Sequence, residues 1–360
     1  MPREALRVPH TVLHRQILAI LAAWGLPADQ AEPTADALAL ADLLGIDSHG
    51  LALLPFYDEL RRSGKVQCAP PIATVIDRAA IAVIDGGGGF GEAPATRAID
   101  LAIAKAKTFG LGAVAVRNSN HYGAAGVYAL RAAENGLIGL ATSAVWNTAI
   151  VPTFGVKPML GTNPFAFAAP GRRNPPFLLD MATSTVAIGK LKLAHMAGKA
   201  LPPGWVLDTH GQPQTDPAQA LIDRLLTPLG GDRVHGGHKG YGLATMMEIL
   251  STVLSGASFA ALRPTTAECY DVGHFLMAID PALFRPDGGF GDDLDRVIDA
   301  LRASPPANPE RPVMVAGDPE HAARAARLRD GIPVPAPLAD QINALCRTAN
   351  AAYLFDPKSS

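Results

Sequence analysis

Cysteine is scarce in this sequence: Cys68, Cys269 and Cys346 are the only three in 360 residues, widely spaced and odd in number. Such a set argues against a disulfide framework and fits a reducing cytoplasm. Charge is equally sparing. With 31 basic and 33 acidic residues the formal net charge is −2, so no basic excess points to nucleic acid or to an anionic membrane surface. No apolar run reaches the roughly 18 residues that a spanning helix needs. The N-terminal MPREALRVPHTVLHRQILAIL lacks a short hydrophobic core followed by a small-residue cleavage site, and reads as mature protein. No repeat or low-complexity tract appears. These absences leave a soluble, cytoplasmic globular protein, long enough for two or three domains.

The chain is rich instead in glycine (35) and proline (31), set between short apolar runs. Residues 10–63 read as three helices, with Pro33 near the start of the second, where a missing N–H costs little. From Pro70 to about Phe284 the pattern alternates. Strands are expected at 81–85, 111–117, 137–143, 164–170, 176–182 and 273–280, and helices near 94–109, 123–135, 184–197 and 240–255. The Pro/Gly-rich 198–217 reads as a connector. Residues 310–320 read as a short strand running into a helix start, among helices at 291–304, 318–330 and 336–352. The expectation is an α/β protein in which both chain ends (1–70 and 290–360) form one discontinuous helical domain around an α/β domain at 71–289.

Five segments carry chemistry. In IAVIDGGGGFGEAPA, Gly86, Gly88 and Gly91 fall on G-x-G-x-x-G after an apolar strand. That spacing suits a dinucleotide pyrophosphate, but the following strand ends in Arg117 and Asn118, not in the acid that holds a ribose. A structural turn is the competing reading. In IDSHGLALL, His49 is a natural acid/base near neutral pH, with Ser48 able to orient it; alternatively Asp47 or Ser48 simply caps the next helix. In RNSNHYGAAG, His121 stands near a helix start, where amides favour an anion; an asparagine cap beside an exposed histidine is equally open. Asp180 and Thr183–Thr185 mark a strand-to-helix junction, with Lys190 beyond it. Lastly, GGDRVHGGHKGYGLA sets His238 and Lys239 at a helix start, suited to phosphate. His235 with His238 lacks a third ligand at recognisable spacing, so no metal is expected. Glu248, inside that apolar helix, requires a buried partner.

Together these segments resemble the malate/L-lactate dehydrogenase family of NAD(P)H-dependent oxidoreductases that lack a Rossmann fold. The matching motifs are DSHG (47–50), NSNHYGAAG (118–126), GTNP (161–164), DMATS (180–184), GGHKGYGLA (236–244), VGHFLMAID (272–280) and AGDPE (316–320). They run in family order over nearly the whole chain. The resemblance implies a non-Rossmann cofactor domain with a mixed sheet, a helical domain built from both ends, and a homodimer. It implies that the glycine turn is structural. NAD or NADP would lie against His121, Tyr122, Gly123, Ala124, Asp180, Met181, Ala182, Thr183, Ser184, His238, Lys239, Gly317 and Asp318. His49, with Ser48 beside it, would be the general acid/base, and Thr162 and Lys190 would meet a small 2-hydroxy or 2-oxo acid. The family also includes cyclic-imine reductases, which often carry an acid where Lys190 stands; lysine there favours hydroxy acids. One departure matters. Many members have a carboxylate-binding arginine four residues after the catalytic histidine, and here that position is Leu53. Lys190, Lys192, Arg61 or Arg117 would have to take the carboxylate, or the substrate differs.

Overall fold

In a computed structural model, which describes residues 5–264 and 269–355, three helices start directly after a proline whose fixed φ leads the chain in. These are α1 (His10–Ala23) after Pro9, α2 (Ala28–Leu43) after Pro27 and, near the end of the chain, Ala336–Ala349 after Pro335. A short strand β1 (Leu6–Val8) precedes α1, and α3 (Leu54–Arg62) completes the three expected N-terminal helices.

The middle of the chain supplies β2 (Ala73–Arg78), β3 (Ile81–Asp85), α4 (Glu92–Phe109), β4 (Leu111–Ser119), α5 (Gly126–Glu134), β5 (Ile138–Ser143), β6 (Phe165–Ala169), β7 (Phe177–Met181), α6 (Ile188–Met196), α7 (Pro217–Asp223), α8 (Gly237–Glu248), β8 (Val272–Ile279) and α9 (Pro281–Phe284). The C-terminal part adds α10 (Phe290–Arg302), α11 (Asp318–Asp330), β9 (Ile332–Val334) and α12, the helix Ala336–Ala349.

Seven strands form one mixed sheet in the order β2-β3-β4-β8-β5-β6-β7. Only β3 and β4 pair in parallel; every other neighbour is antiparallel. This is not the doubly wound parallel sheet of a Rossmann domain. The central strand β8 is buried on both faces along most of its length, and its sequence VGHFLMAI is correspondingly apolar almost throughout. Helices α4 and α5 cover the sheet through alanines such as Ala98, Ala102, Ala129 and Ala132. They lie so close that a Cβ on Gly112 would stand 2.0 Å from the Ala102 carbonyl oxygen. The alanine and glycine content is therefore spent on close helix–sheet packing.

A second core joins α1, α2, α3 and α12 with the antiparallel pair β1–β9. Helix α2 belongs to both: Ala37, Ala41 and Leu44 just beyond it face the sheet core, while Ala31, Ala35, Leu38 and Leu43 face the other. Buried on two sides, it has no simple amphipathic stripe. Helix α10 is tied to the β6–β7 turn, where the Asp295 carboxylate accepts the Arg173 and Asn174 amides at 2.8 and 3.0 Å. We propose a division into two domains at residues 70/71 and 289/290, joined through α2; residues 1–4 and 356–360 of the outer domain lie outside the described residues. Separate unfolding of the two parts by hydrogen exchange would test it, and a single cooperative opening would remove it.

The six expected strands of the middle region all form. Sequence reading missed β1, β2, β9, α7 and α9. The expected strand at 310–320 does not form: Asn308 and Arg311 make one isolated bridge, and the chain then runs irregularly into α11, fixed where the Leu178 amide donates to Ala316 (3.1 Å). The helix expected from 184 begins at Ile188, because Thr183 and Ser184 bond back to neighbouring carbonyls. Glu248 has the buried partner its position demanded, accepting from Asn163 Nδ2 at 2.8 Å.

Candidate functional site

At one end of the sheet, β4, β5 and β7 finish and β6 and β8 begin, and a cavity of about 810 Å³ opens there. His121 follows β4, Trp146 follows β5 and Thr162 precedes β6. The loop after α2 brings in Ser48 and His49 from the helical side. That loop is pinned at two points. The buried Asp42 carboxyl accepts the Leu51 amide at 2.7 Å, and Arg327 of α11 forms an ion pair with Asp47 while donating to the Asp42 carbonyl at 2.6 Å. Gly50 is required by this closeness, since a Cβ there would be 2.2 Å from the Asp42 carboxyl carbon.

The two imidazoles stack with ring centroids 5.7 Å apart. Ser48 Oγ lies 2.8 Å from His49 Nδ1. His121 Nδ1 lies 2.8 Å from the Tyr57 hydroxyl and accepts the Gly123 amide at 3.2 Å, and Tyr57 is bonded in turn to Glu92. Trp146 closes against His121 edge-on at 5.6 Å and against Phe56 at 5.0 Å. Burial disfavours the charged form of each titrating group here. It lowers the His49 pKa, takes His121 down to about 3, and raises Glu92 to about 8 and Asp180 to about 6. Beneath them His274, also held near 3 by burial, bonds Ser143 and Ser119 (2.8 and 2.9 Å) and stacks flat on Tyr122 at 4.5 Å.

Of the expected residues, Ser48, His49, the run His121–Ala124, Thr162 and the run Asp180–Ala182 line the cavity. Asp180 has a structural task as well, accepting the Gly126 amide at the start of α5 (2.8 Å). Thr183 and Ser184 sit behind the wall, their hydroxyls donating to Thr162 and Val186 carbonyls at 2.9 and 2.8 Å. Lys190 is turned toward the Trp205 ring (6.0 Å) and is not on the wall; Lys192 is. His238 and Lys239 open α8 outside the cavity of this chain, with His238 facing Arg233 at 3.0 Å. Gly317 caps α11 and Asp318 pairs with Arg302, so from that segment Glu320 is the residue that reaches the cavity. Sequence reading also missed Tyr57, Trp146 and Arg224. Tyr57 follows His49 on α3, but nothing in the spacing says that it points at His121. Among the described residues no three His, Cys, Asp or Glu side chains are grouped to hold a metal, and His235 is engaged by Asp232 at 2.8 Å.

Two features suit a nicotinamide dinucleotide. Tyr122 lines the cavity, and its buried hydroxyl has no partner among the described residues. Gly189, in the first turn of α6, also lines it, and a Cβ there would meet nothing within 4 Å, so a ligand can approach that helix start closely.

A cavity of this size, largely apolar and with paired histidines over the end of a mixed sheet, defines an α/β enzyme acting on small molecules. The sequence profile of the malate/L-lactate dehydrogenase family matches residues 8–343. The malate dehydrogenase of Pyrococcus horikoshii is 38% identical over 344 residues, 95% of each chain, and its structure superposes with a TM-score of 0.87, covering 97% of each. The L-sulfolactate dehydrogenase of Methanocaldococcus jannaschii is 36% identical over 92% of this chain and 93% of its own. The malate dehydrogenase structure from Entamoeba histolytica has a TM-score of 0.91 at 30% identity, covering 96% of this chain and 98% of its own. The chain belongs to the malate/L-lactate dehydrogenase family and is an NAD(P)-dependent 2-hydroxyacid dehydrogenase.

The anchor of the His49 loop has a pH signature. Burial raises the Asp42 pKa from 3.8 to about 7, so the folded state keeps this proton to higher pH than the unfolded chain. The group's contribution is complete below its unfolded value and is lost as pH rises through about 7. Asp42→Asn retains an acceptor for Leu51 and removes the titration. Denaturant melts at about pH 5 and about pH 8 should show the variant gaining roughly 2 kcal/mol on the wild type between them. A parallel shift of the two proteins would exclude a buried proton at Asp42.

Proposed function

We propose that the enzyme interconverts a small, malate- or lactate-like 2-hydroxy acid and its 2-oxo acid, with His49 as general acid/base on the 2-oxygen. The observation that carries this is His49 on the cavity wall, with Nδ1 held by Ser48 at 2.8 Å. With Nδ1–H directed at Ser48 Oγ, Nε2 is left to take the hydroxyl proton on oxidation and to return it to the forming alkoxide on reduction. Burial keeps the resting imidazole neutral, which suits the base form. When bound, NAD or NADP exchanges hydride with C2 of the substrate. Tyr122, Gly123, Ala124 and the run Asp180–Ala182 would hold it, and Thr162 would contact the substrate.

Positive charge for an anionic ligand comes from Lys192 and Arg224, both on the cavity wall. The other candidate cations are committed elsewhere: Arg61 to Asp58 (2.6 Å) and the Trp24 ring, and Arg117 to Asp85 (3.5 Å). Arg224 occupies a left-handed backbone position (φ 51°) at the end of α7, where glycine would cost less. Its place on the wall, together with Lys192, supports the assignment of this pair to the carboxylate that Leu53 cannot bind.

The large, apolar and exposed side chains of Phe154, Met196, Ile222 and Val253 support a homodimer. Light scattering should give twice the chain mass; a single-chain mass would remove the homodimer from this reading. The free thiols of Cys68, Cys269 and Cys346 support a cytoplasmic setting, which thiol trapping in intact cells would check.

The direct test is NADH and NADPH oxidation against oxaloacetate, pyruvate and a cyclic imine carboxylate. Turnover of an oxo acid should fall roughly 100- to 10,000-fold in His49→Ala; an unchanged rate would end the assignment of His49. Under the same assay, Lys192→Gln and Arg224→Gln should raise the KM of the acid about tenfold or more with kcat little altered. A rise confined to the KM of the dinucleotide would move both cations to the cofactor phosphates.

A further inference from the structure

Behind the cavity runs a buried chain of three side chains whose hydrogen positions are over-determined. Tyr57 and Glu92 are fully buried, and the Tyr57 hydroxyl touches both the Glu92 carboxyl and His121 Nδ1. The Gly123 amide also points at Nδ1, at 3.2 Å. An amide N–H can only donate, so Nδ1 carries its lone pair, and the Tyr57 hydrogen must be directed there too. Tyr57 has then no hydrogen left for Glu92, and their contact needs one on the carboxyl group. Glu92 Oε2 leads independently to the same place: it is buried without a partner among the described residues, a site where an ionised oxygen would be costly and a neutral acid is tolerated.

From this geometry we infer that Glu92 and Tyr57 are positioning residues that donate in series toward His121 and fix it as the neutral Nε2–H tautomer. The inference rests on the reading of His49 as the acid/base and divides the labour between the two stacked rings. His49, backed at Nδ1 by the Ser48 hydroxyl, is free to exchange a proton at Nε2. His121, saturated at Nδ1 by two donors, offers the cavity one N–H and no base. Burial supports the arrangement by holding Glu92 protonated and His121 uncharged. A neutral imidazole of this kind polarises a substrate carbonyl oxygen while its neighbour supplies the proton.

The test reads the tautomer directly. In ¹⁵N-histidine spectra of the full-length wild type, without substrate, His121 should give the Nε2–H pattern; an Nδ1–H pattern would overturn the inference whatever the enzyme turns over. Tyr57→Phe keeps the ring and removes the donor. It should release His121 to a tautomer mixture and lower kcat about tenfold with KM within about twofold. Glu92→Leu should behave likewise, whereas Glu92→Gln, whose amide still donates to Tyr57, should restore the fixed tautomer and most of kcat. If Glu92→Gln loses as much as Glu92→Leu, Glu92 acts as an ionised acceptor and the direction proposed here is wrong. Because the spectra need no activity, failure of the dehydrogenase assay and failure of the tautomer assignment are separate results.

Discussion

The Asp42 carboxyl accepts the Leu51 amide across a gap that only glycine at position 50 leaves open, and through that bond the loop bearing His49 is held against α2. The constraint matters because His49 and His121 come from different parts of the fold. One arrives with the helices of the chain's beginning, the other from the end of β4. Their 5.7 Å stacking is maintained only if α2 keeps its place on the sheet and the loop keeps its place on α2. The first condition is met by the two-sided burial of α2, and the second by Asp42 together with the Arg327 contact from α11. Thus α11, late in the sequence, fixes a residue from early in it.

Desolvation is the second organising effect. Burial disfavours the charged form of His49, His121 and His274, and each then relies on hydrogen-bond partners rather than counterions. The structure supplies hydroxyls: Ser48 for His49, Tyr57 for His121, Ser143 and Ser119 for His274. Carboxyl groups are kept one step back or tied to amides, as Glu92 is behind Tyr57 and Asp180 is by Gly126. Among the described residues the ring nitrogens of the stacked pair meet hydroxyls and an amide, so a proton placed on His49 would not be held there by an ion pair. The cations on the cavity wall, Lys192 and Arg224, stand on α6 and at the end of α7, apart in sequence from the histidine pair.

Much of this was legible in the sequence because it depends on local pattern. The strands of the sheet alternate or run apolar according to how many faces they bury, and the prolines before α1, α2 and α12 mark their starts. DSHG and NSNHYG named His49 and His121 because a histidine beside glycine or a small polar residue at an element's end is a local signal. Tyr57, Trp146 and Arg224 were not legible, since tertiary packing alone sets Trp146 and Arg224 on the cavity wall and Tyr57 behind it against His121: Tyr57 looks like a core residue of α3, and Arg224 like a solvated helix end. Lys190 and Lys192 show the limit most plainly. Two residues apart on one helix, they point in different directions, and spacing alone could not say which one faced the cavity.

The glycine turn between β3 and α4 shows why the most familiar motif in the chain was the least informative. A pyrophosphate cradle requires amide hydrogens left free by the protein. Here the Gly86 amide donates to Arg117, that of Gly88 to Asn118, that of Gly89 to Gly86 and that of Gly91 to His121, and the Gly87 amide is taken by Asp85. The positive φ of Gly87 and Gly88 and the close approach of Gly91 to Asn120 explain the glycines without any ligand. Asn120 also donates from its side chain to the Gly88 and Gly89 carbonyls (3.2 and 3.1 Å). The turn thereby grips the segment that follows β4, sets His121 at the cavity and starts α4 with Glu92 buried behind it. Spacing of glycines encodes the shape of a turn, but the acceptors that cross it decide its use, and in this fold they are the backbone of the histidine segment itself.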